Sequence, residues 1–239
     1  MNSGQKIDRS QRIGKNKRRW LFKIVLLTPV AIFAYFTILI LAYLVFNPSL
    51  STLMAGFLVS GKTITQQWAP LDKISRHLPL AVIVSEDARY CEHLGVDWQE
   101  IERNWSRKSY NDQIRGASTI PMQTMKNLFL WPGRSILRKA MEIPLAYESS
   151  IFWSKKRMIE IYLNIVEWGP GIFGAEAASR YHFNKRASHL TQREAALLAV
   201  SLPNPRLRNA GKPGPRLRQL ARLLQRRMQA GQRYSACIR

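Results

Sequence analysis

Hydrophobic and polar positions divide this chain into blocks of different character. Residues 24–46 form an uncharged run of 23 residues rich in Leu, Ile, Val and Phe. As a helix rising ~1.5 Å per residue, the run spans roughly 35 Å, enough to cross a bilayer core with slight tilt. Pro29 falls near its start, where a kink does least harm. A cleaved signal peptide would have an apolar stretch of only about 7–15 residues and then a small-residue cleavage site. Tyr43 to Pro48 offers no such site, so the run is expected to be a retained membrane-spanning helix. Residues 47–69, punctuated by Pro48, Gly56 and Gly61, read as a juxtamembrane connector. From 70 to 205 the spacing is helical almost throughout, without internal repeats or useful strand-period alternation. Ser118 or Thr119 is placed to cap a helix reaching about Leu130, with Pro121 in its first turn. Ser135 begins a second to Trp153, with Pro144 as a kink point, and Ser154 a third to Asn164, before the break at Gly169-Pro170-Gly171. Thr191-Gln192-Arg193-Glu194 is a capping box ahead of a buried helix closed by Pro203 and Pro205. The predicted fold class is mainly α, a single N-terminal transmembrane helix followed by an α-helical domain.

Charge gives this layout a direction. The 239 residues carry 37 Lys and Arg against 15 Asp and Glu, a formal net charge of +22. Lys6, Arg9, Arg12, Lys15, Lys17, Arg18, Arg19 and Lys23 all precede the apolar run, and the next basic residue is Lys62. That asymmetry makes residues 1–23 a basic cytoplasmic tail and sends the remainder across the membrane. Residues 206–239 hold ten basic residues and no acid. Leu217, Leu220, Leu223, Leu224 and Met228 interleave there with Arg218, Arg222, Arg226 and Arg227. Such a basic amphipathic helix suits either an anionic membrane surface or packing on the domain with its arginines solvated. Nucleic acid is not an expected partner on the far side of a membrane. Cys91 and Cys237 are too few for a disulfide framework and read as two free thiols, though an oxidising compartment would allow one bridge.

Against this basic background, five acids fall between Glu86 and Glu100. The pair Glu86-Asp87 points to proton chemistry on a substrate that is itself anionic. Gly116 to Asn127 sets Ser118, Gln123 and Lys126 near a helix N-terminus, whose free N–H groups favour an anion. Arg134 and Arg138-Lys139 follow. Arg138 and Glu142 are four residues apart, which on spacing alone reads as a solvent-exposed intrahelical pair. Lys156, Glu160 and Asn164 share a face that spacing alone reads as a solvated stripe.

In order along the chain, these segments resemble the motifs of the peptidoglycan glycosyltransferases, glycosyltransferase family 51. Glu86-Asp87 with His93, Gly95 and Asp97 looks like the first motif, and Gly116 to Asn127 like the second. Arg138-Lys139 with Glu142 matches the third, and Lys156 to Asn164 the fourth. Gly171 to Ala178 and the helix after Thr191 resemble the remaining blocks, so the likeness runs from about Trp68 to Pro205. Tyr90 stands where the family has phenylalanine. Pro121-Met122 replaces a Ser/Thr-Gln pair, removing a hydroxyl and an amide before Gln123, which would reduce activity if that amide orients substrate. Thr63 to Gln67 looks like the missing motif but lacks its Lys-Asn continuation and is read as coincidence. The single anchor and short connector resemble the monofunctional members, not the bifunctional penicillin-binding proteins.

The resemblance implies a lysozyme-like α-helical glycosyltransferase domain over residues 70–205, on the periplasmic face of a bacterial inner membrane. It would polymerise lipid II, a disaccharide-pentapeptide on undecaprenyl diphosphate, into β-1,4-linked glycan with inversion at the donor MurNAc C1. Glu86 would be the general base on the acceptor 4-hydroxyl. Lys126, Arg134 and Lys139, supported by Arg138, would clamp the departing diphosphate, with Ser118, Gln123 and Asn127 also binding substrate. Glu142 would be the second carboxylate. Asp87, His93, Lys156, Glu160 and Asn164 would support the structure. The family allows a divalent ion, Mg or Mn, although the sequence has no metal-ligand cluster of its own. Expected partners are lipid II, the nascent strand, the membrane and other cell-wall synthesis proteins. Two alternatives are a lysozyme-like glycan-cleaving enzyme and a catalytically impaired scaffold, the latter resting on Pro121-Met122.

Overall fold

The protein is described by a computed structural model covering residues 4–107, 118–133, 135–229 and 232–238. Arg134 and Gly116 lie outside the described residues. The chain divides into two units, Met1–Ala42 and Tyr43–Arg239. The first contains helix α1 (Gly4–Ala42), in which Val25–Ala42 has a mean hydropathy of 2.4 and is long and apolar enough to cross a membrane. The helix stops short of the expected Phe46, because residues 43–46 form a turn. Pro48 disfavours a helical conformation just before it. Arg157 then takes the carbonyls that a longer helix would use, donating to Tyr43 O at 2.9 Å and Phe46 O at 2.7 Å, and to Asn47 Oδ1 at 2.9 Å.

Residues expected to be a plain connector are built into the second unit. Helix α2 (Thr52–Val59) is capped by Ser51 and buries Met54 and Phe57. Thr52 Oγ1 donates to Asn127 O at 3.0 Å and to Leu130 O at 2.7 Å. Strand β1 (Thr65–Gln66) lies in the stretch read as a coincidental motif. It pairs parallel with β3 (Ile172–Phe173), which pairs antiparallel with β2 (Glu167–Gly169), giving the order β1-β3-β2. Strands of two or three residues are too short to leave an alternation in the sequence. At Gly171, with φ +73°, an added Cβ would stand 2.6 Å from Thr63 O, so glycine lets the turn close against β1.

The core is helical. Helix α3 (His77–Glu86) is apolar on most sides, with Leu78, Pro79, Ala81, Val82, Ile83 and Val84 buried, as expected of a helix surrounded by others. It packs on α9 (Gln192–Ser201) and α10 (Pro215–Gln229), while α5 (Ile120–Phe129) lies against α6 (Ile136–Phe152) and α7 (Lys155–Ile165). Helices α4 (Trp98–Arg107) and α8 (Ala175–Phe183) complete the set among the described residues. Thr119, Ser135 and Ser154 each cap with a side-chain oxygen, and Thr191 and Glu194 form a capping box. The C-terminal helix α10 turns Leu217, Ala221, Leu224 and Met228 inward and leaves its arginines outside. Those four residues are taken up by the domain, while Leu223 stays exposed. Cys91 and Cys237, read as free thiols, form a disulfide with Cα atoms 5.6 Å apart. Their 146-residue separation hid that proximity.

Candidate active site

Glu86 is the last residue of α3, so its carboxylate projects where the apolar helix gives way to the loop carrying Asp87 to Asp97. That loop is fixed by polar contacts. Asp87 Oδ1 meets His93 Nε2 at 2.8 Å, and Asp87 Oδ2 accepts from Ile120 N at 2.9 Å, which ties the loop to the start of α5. Thr119 Oγ1 donates to Gly95 O at 2.5 Å. Gly95 has φ +83° and would drive a Cβ within 2.5 Å of Ala146 O, so only glycine fits between the loop and α6. Tyr90 OH donates to Lys155 O at 2.8 Å, and Lys155 Nζ donates to His93 O at 2.7 Å.

Helix α5 brings Gln123 to this loop. Gln123 Nε2 donates to Glu86 Oε2 at 3.3 Å and to Ser118 O at 3.2 Å, while its Oε1 accepts from Tyr162 OH at 3.0 Å. Lys126 follows one turn later on the same face. Its ammonium makes no hydrogen bond or ion pair with another of the described residues. Burial pulls its pKa below the usual lysine value, while the Glu142 and Glu86 carboxylates work in the opposite sense. Burial likewise raises the pKa of Glu86. Gln123 and Ser85 oppose that shift as hydrogen-bond donors, and Arg208, held by Val200 O at 2.9 Å, opposes it through its charge.

Helix α6 supplies the remaining charges. Glu142 is 2% exposed and is paired with both Arg138 and Lys139, the latter at 3.1 Å. Lys139 Nζ also donates to Ser118 Oγ at 2.6 Å. The exposed pair expected from spacing is thus a buried one. Spacing fixes which residues share a helix face, not what covers that face. Gln123, Ser118, Lys139, Glu142 and Arg138 form a continuous chain of contacts with Glu86 at one end, and Lys126 shares the helix face of Gln123. Asn127 is buried and offers its carbonyl to Thr52, which places it in the packing between α5 and α2. Among the described residues, no group of three or more His, Cys, Asp or Glu side chains is placed to hold a metal ion.

Lys156, Glu160 and Asn164 are not one solvated stripe. Asn164 is fully buried and pairs both ways with the backbone of Ala69 at 2.8 Å, while Glu160 binds Arg157 and the Leu71 amide. Lys156 is exposed and lines a separate groove of about 1420 Å³ with Ile74, His77 and Met228, a groove that includes none of the cluster residues. Met122 is fully buried in the core, while Gln123 faces Glu86. An amide at position 122 would therefore point into the core, while the one at Gln123 faces Glu86. Restoring it as Met122→Gln is expected to destabilise the protein by about 1–3 kcal/mol through an unpaired buried amide, with no gain in turnover. Denaturant unfolding with parallel rate measurements checks this. Tyr162, Arg208, Lys155 and Arg157 escaped sequence reasoning. Tyr162 and Arg157 lie inside the fourth motif block, and a tyrosine there was the available signal.

A transglycosylase family model matches residues 52–229. A biosynthetic peptidoglycan transglycosylase of Rhizobium johnstonii is 50% identical over 221 residues, covering 92% of this chain and 90% of that protein. One from Agrobacterium fabrum is also 50% identical over 221 residues, covering 92% and 98%. One from Brucella suis is 44% identical over 214 residues, covering 90% and 95%. With the family model spanning most of the chain and near half the residues shared with relatives along almost their whole length, the chain belongs to the biosynthetic peptidoglycan transglycosylases, transferases of cell-wall peptidoglycan synthesis.

Proposed function

We propose that this chain polymerises lipid II into β-1,4-linked glycan strands, with Glu86 as general base and the cations of α5 and α6 receiving the departing diphosphate. The observation that carries the reading is the Glu86–Gln123 hydrogen bond, which sets a carboxylate of raised pKa beside the helix face that carries the half-buried Lys126, an ammonium with no partner among the described residues. Glu86 takes the proton from the acceptor 4-hydroxyl, the oxygen attacks the donor C1 from the face opposite the diphosphate, and the configuration inverts. A diphosphate leaves as an anion. It needs positive charge rather than a proton, unlike the leaving group of a glycosidase. Lys126 and Lys139 supply that charge. Glu142 holds Arg138 and Lys139 in place, and Gln123 keeps the Glu86 carboxylate oriented through Tyr162. Asp87 and His93 shape the loop and take no proton in turnover. The helical domain would be lysozyme-like in outline.

The disulfide supports a periplasmic domain, since such bonds persist in oxidising compartments, and the basic segment before α1 supports a cytoplasmic N-terminus. Both would keep the site beside a lipid-linked substrate, with other wall-synthesis proteins as partners.

Incubation with labelled lipid II is expected to give long glycan and free undecaprenyl diphosphate. Shortening of finished glycan instead would favour a glycan-cleaving enzyme. The pH profile adds a signature. A base must be ionised, so the rate is expected to rise through a pKa above the ordinary carboxylate range. A clamp must stay charged, so the rate is expected to fall through a pKa below the ordinary lysine value. Gln123→Ala removes a donor that stabilises the Glu86 anion and is expected to move the acid limb upward. A limb that stays put would contradict that pairing.

A further inference from the structure

We infer that the C-terminal arm, α10 with residues 232–238, is a positioning element for Glu86, and that the Cys91–Cys237 bridge makes turnover depend on an oxidising environment. This rests on the function proposed above. Two attachments bracket Glu86 in sequence. On one side, Arg227 of α10 donates through Nη2 to Val84 O at 2.9 Å, two residues before the carboxylate and in the last turn of α3, where carbonyls lack intrahelical partners. The same arginine lines a cavity of about 240 Å³ with Ser85, Glu86, Asp87 and Ser118. On the other side, the disulfide joins Cys237 to Cys91, between Tyr90 and His93, whose contacts with Lys155 and Asp87 set the course of the loop. The short 3-10 segment that carries Cys237 packs against both α3 and α7. The arm thus closes over both ends of the turn that presents the base, although it contributes no group that must touch substrate. Opening the bridge takes two electrons and two protons from a dithiol reductant, which is itself oxidised to a disulfide, and leaves two thiols.

The test uses the full chain in detergent or vesicles. Reduction of the folded wild-type protein, with the freed thiols verified by alkylation, is expected to lower kcat about 10- to 100-fold through misplacement of the base. KM is expected to remain unchanged, reoxidation to restore the rate, and the Cys91→Ala/Cys237→Ala variant to start low and ignore reductant. Arg227→Ala is expected to lower kcat in the same sense, with Arg227→Lys recovering part of it. Hydrogen exchange supplies a readout that does not need turnover: amides of residues 85–93 are expected to lose protection on reduction while those of α5 do not. Unchanged kcat in a demonstrably reduced enzyme that polymerises lipid II would overturn the inference alone, as would unchanged protection. A wild-type protein that makes no polymer would overturn the proposed function, and hydrogen exchange would still decide whether the arm braces the loop.

Discussion

Glu86→Gln is expected to abolish polymerisation, a loss of at least about 10²–10⁴-fold for removal of a general base, in a protein that is no less stable than the parent. The second half separates this account from one in which Glu86 is structural. Burial raises the pKa of Glu86 in the folded state, so the unfolded chain holds its ionised form more readily. The associated stability is complete below the ordinary carboxylate range and is lost as pH rises through the raised pKa. Glutamine keeps the shape and does not ionise. The variant is therefore expected to gain thermal stability relative to the parent as pH moves from acid to neutral. A variant that unfolds earlier than the parent at neutral pH would assign Glu86 a packing role.

Glu142→Ala is expected to be the costliest single change to the fold, at about 3–5 kcal/mol, the range for stranding one partner of a buried ion pair. The side chains of Glu142 and Arg138 are 3% and 11% exposed, and Arg138 Nε is already buried without a partner among the described residues. Removing the carboxylate leaves a guanidinium uncompensated in the interior. Lys139, at 40% exposure, can turn to water and adds little to the loss. Glu142→Gln retains the volume and an acceptor and is expected to lose much less. Denaturant midpoints at unchanged slope would measure both, and a loss under about 1 kcal/mol in the alanine variant would show that water reaches Arg138.

What the sequence revealed, and what it concealed, follows from the range of the interactions. Thr119, Ser135, Ser154 and Thr191 were readable as caps because capping is settled within four residues. Glu86 was conspicuous because a carboxylate pair is rare in so basic a chain. Arg138 and Glu142 were legible as neighbours but not as buried ones, since an i,i+4 pair looks the same on either face of a helix. Met122 and Gln123 show the same limit: adjacent helical residues point about 100° apart, and only the packing of α5 tells which of them faces the base. The Cys91–Cys237 bridge and the Arg227–Val84 contact join residues more than 140 positions apart, and no local pattern encodes them. Thr63 to Gln67 reads as a coincidental motif because it lacks the Lys-Asn continuation, and a two-residue strand leaves no periodicity of its own, yet Gln66 Nε2 donates to Asn164 O at 3.1 Å and the strand helps seat the end of α7.

The division of labour between base and clamp is tested most directly by titrating undecaprenyl diphosphate, the leaving group, into three forms of the purified protein. Glu86→Gln is expected to bind it as tightly as the parent or more so, because a negative charge is gone. Lys126→Ala is expected to bind about 10- to 100-fold more weakly, the worth of one charge-assisted contact. Equal affinity in parent and Lys126→Ala would contradict the account, because the cation beside Glu86 would then have no part in holding the diphosphate.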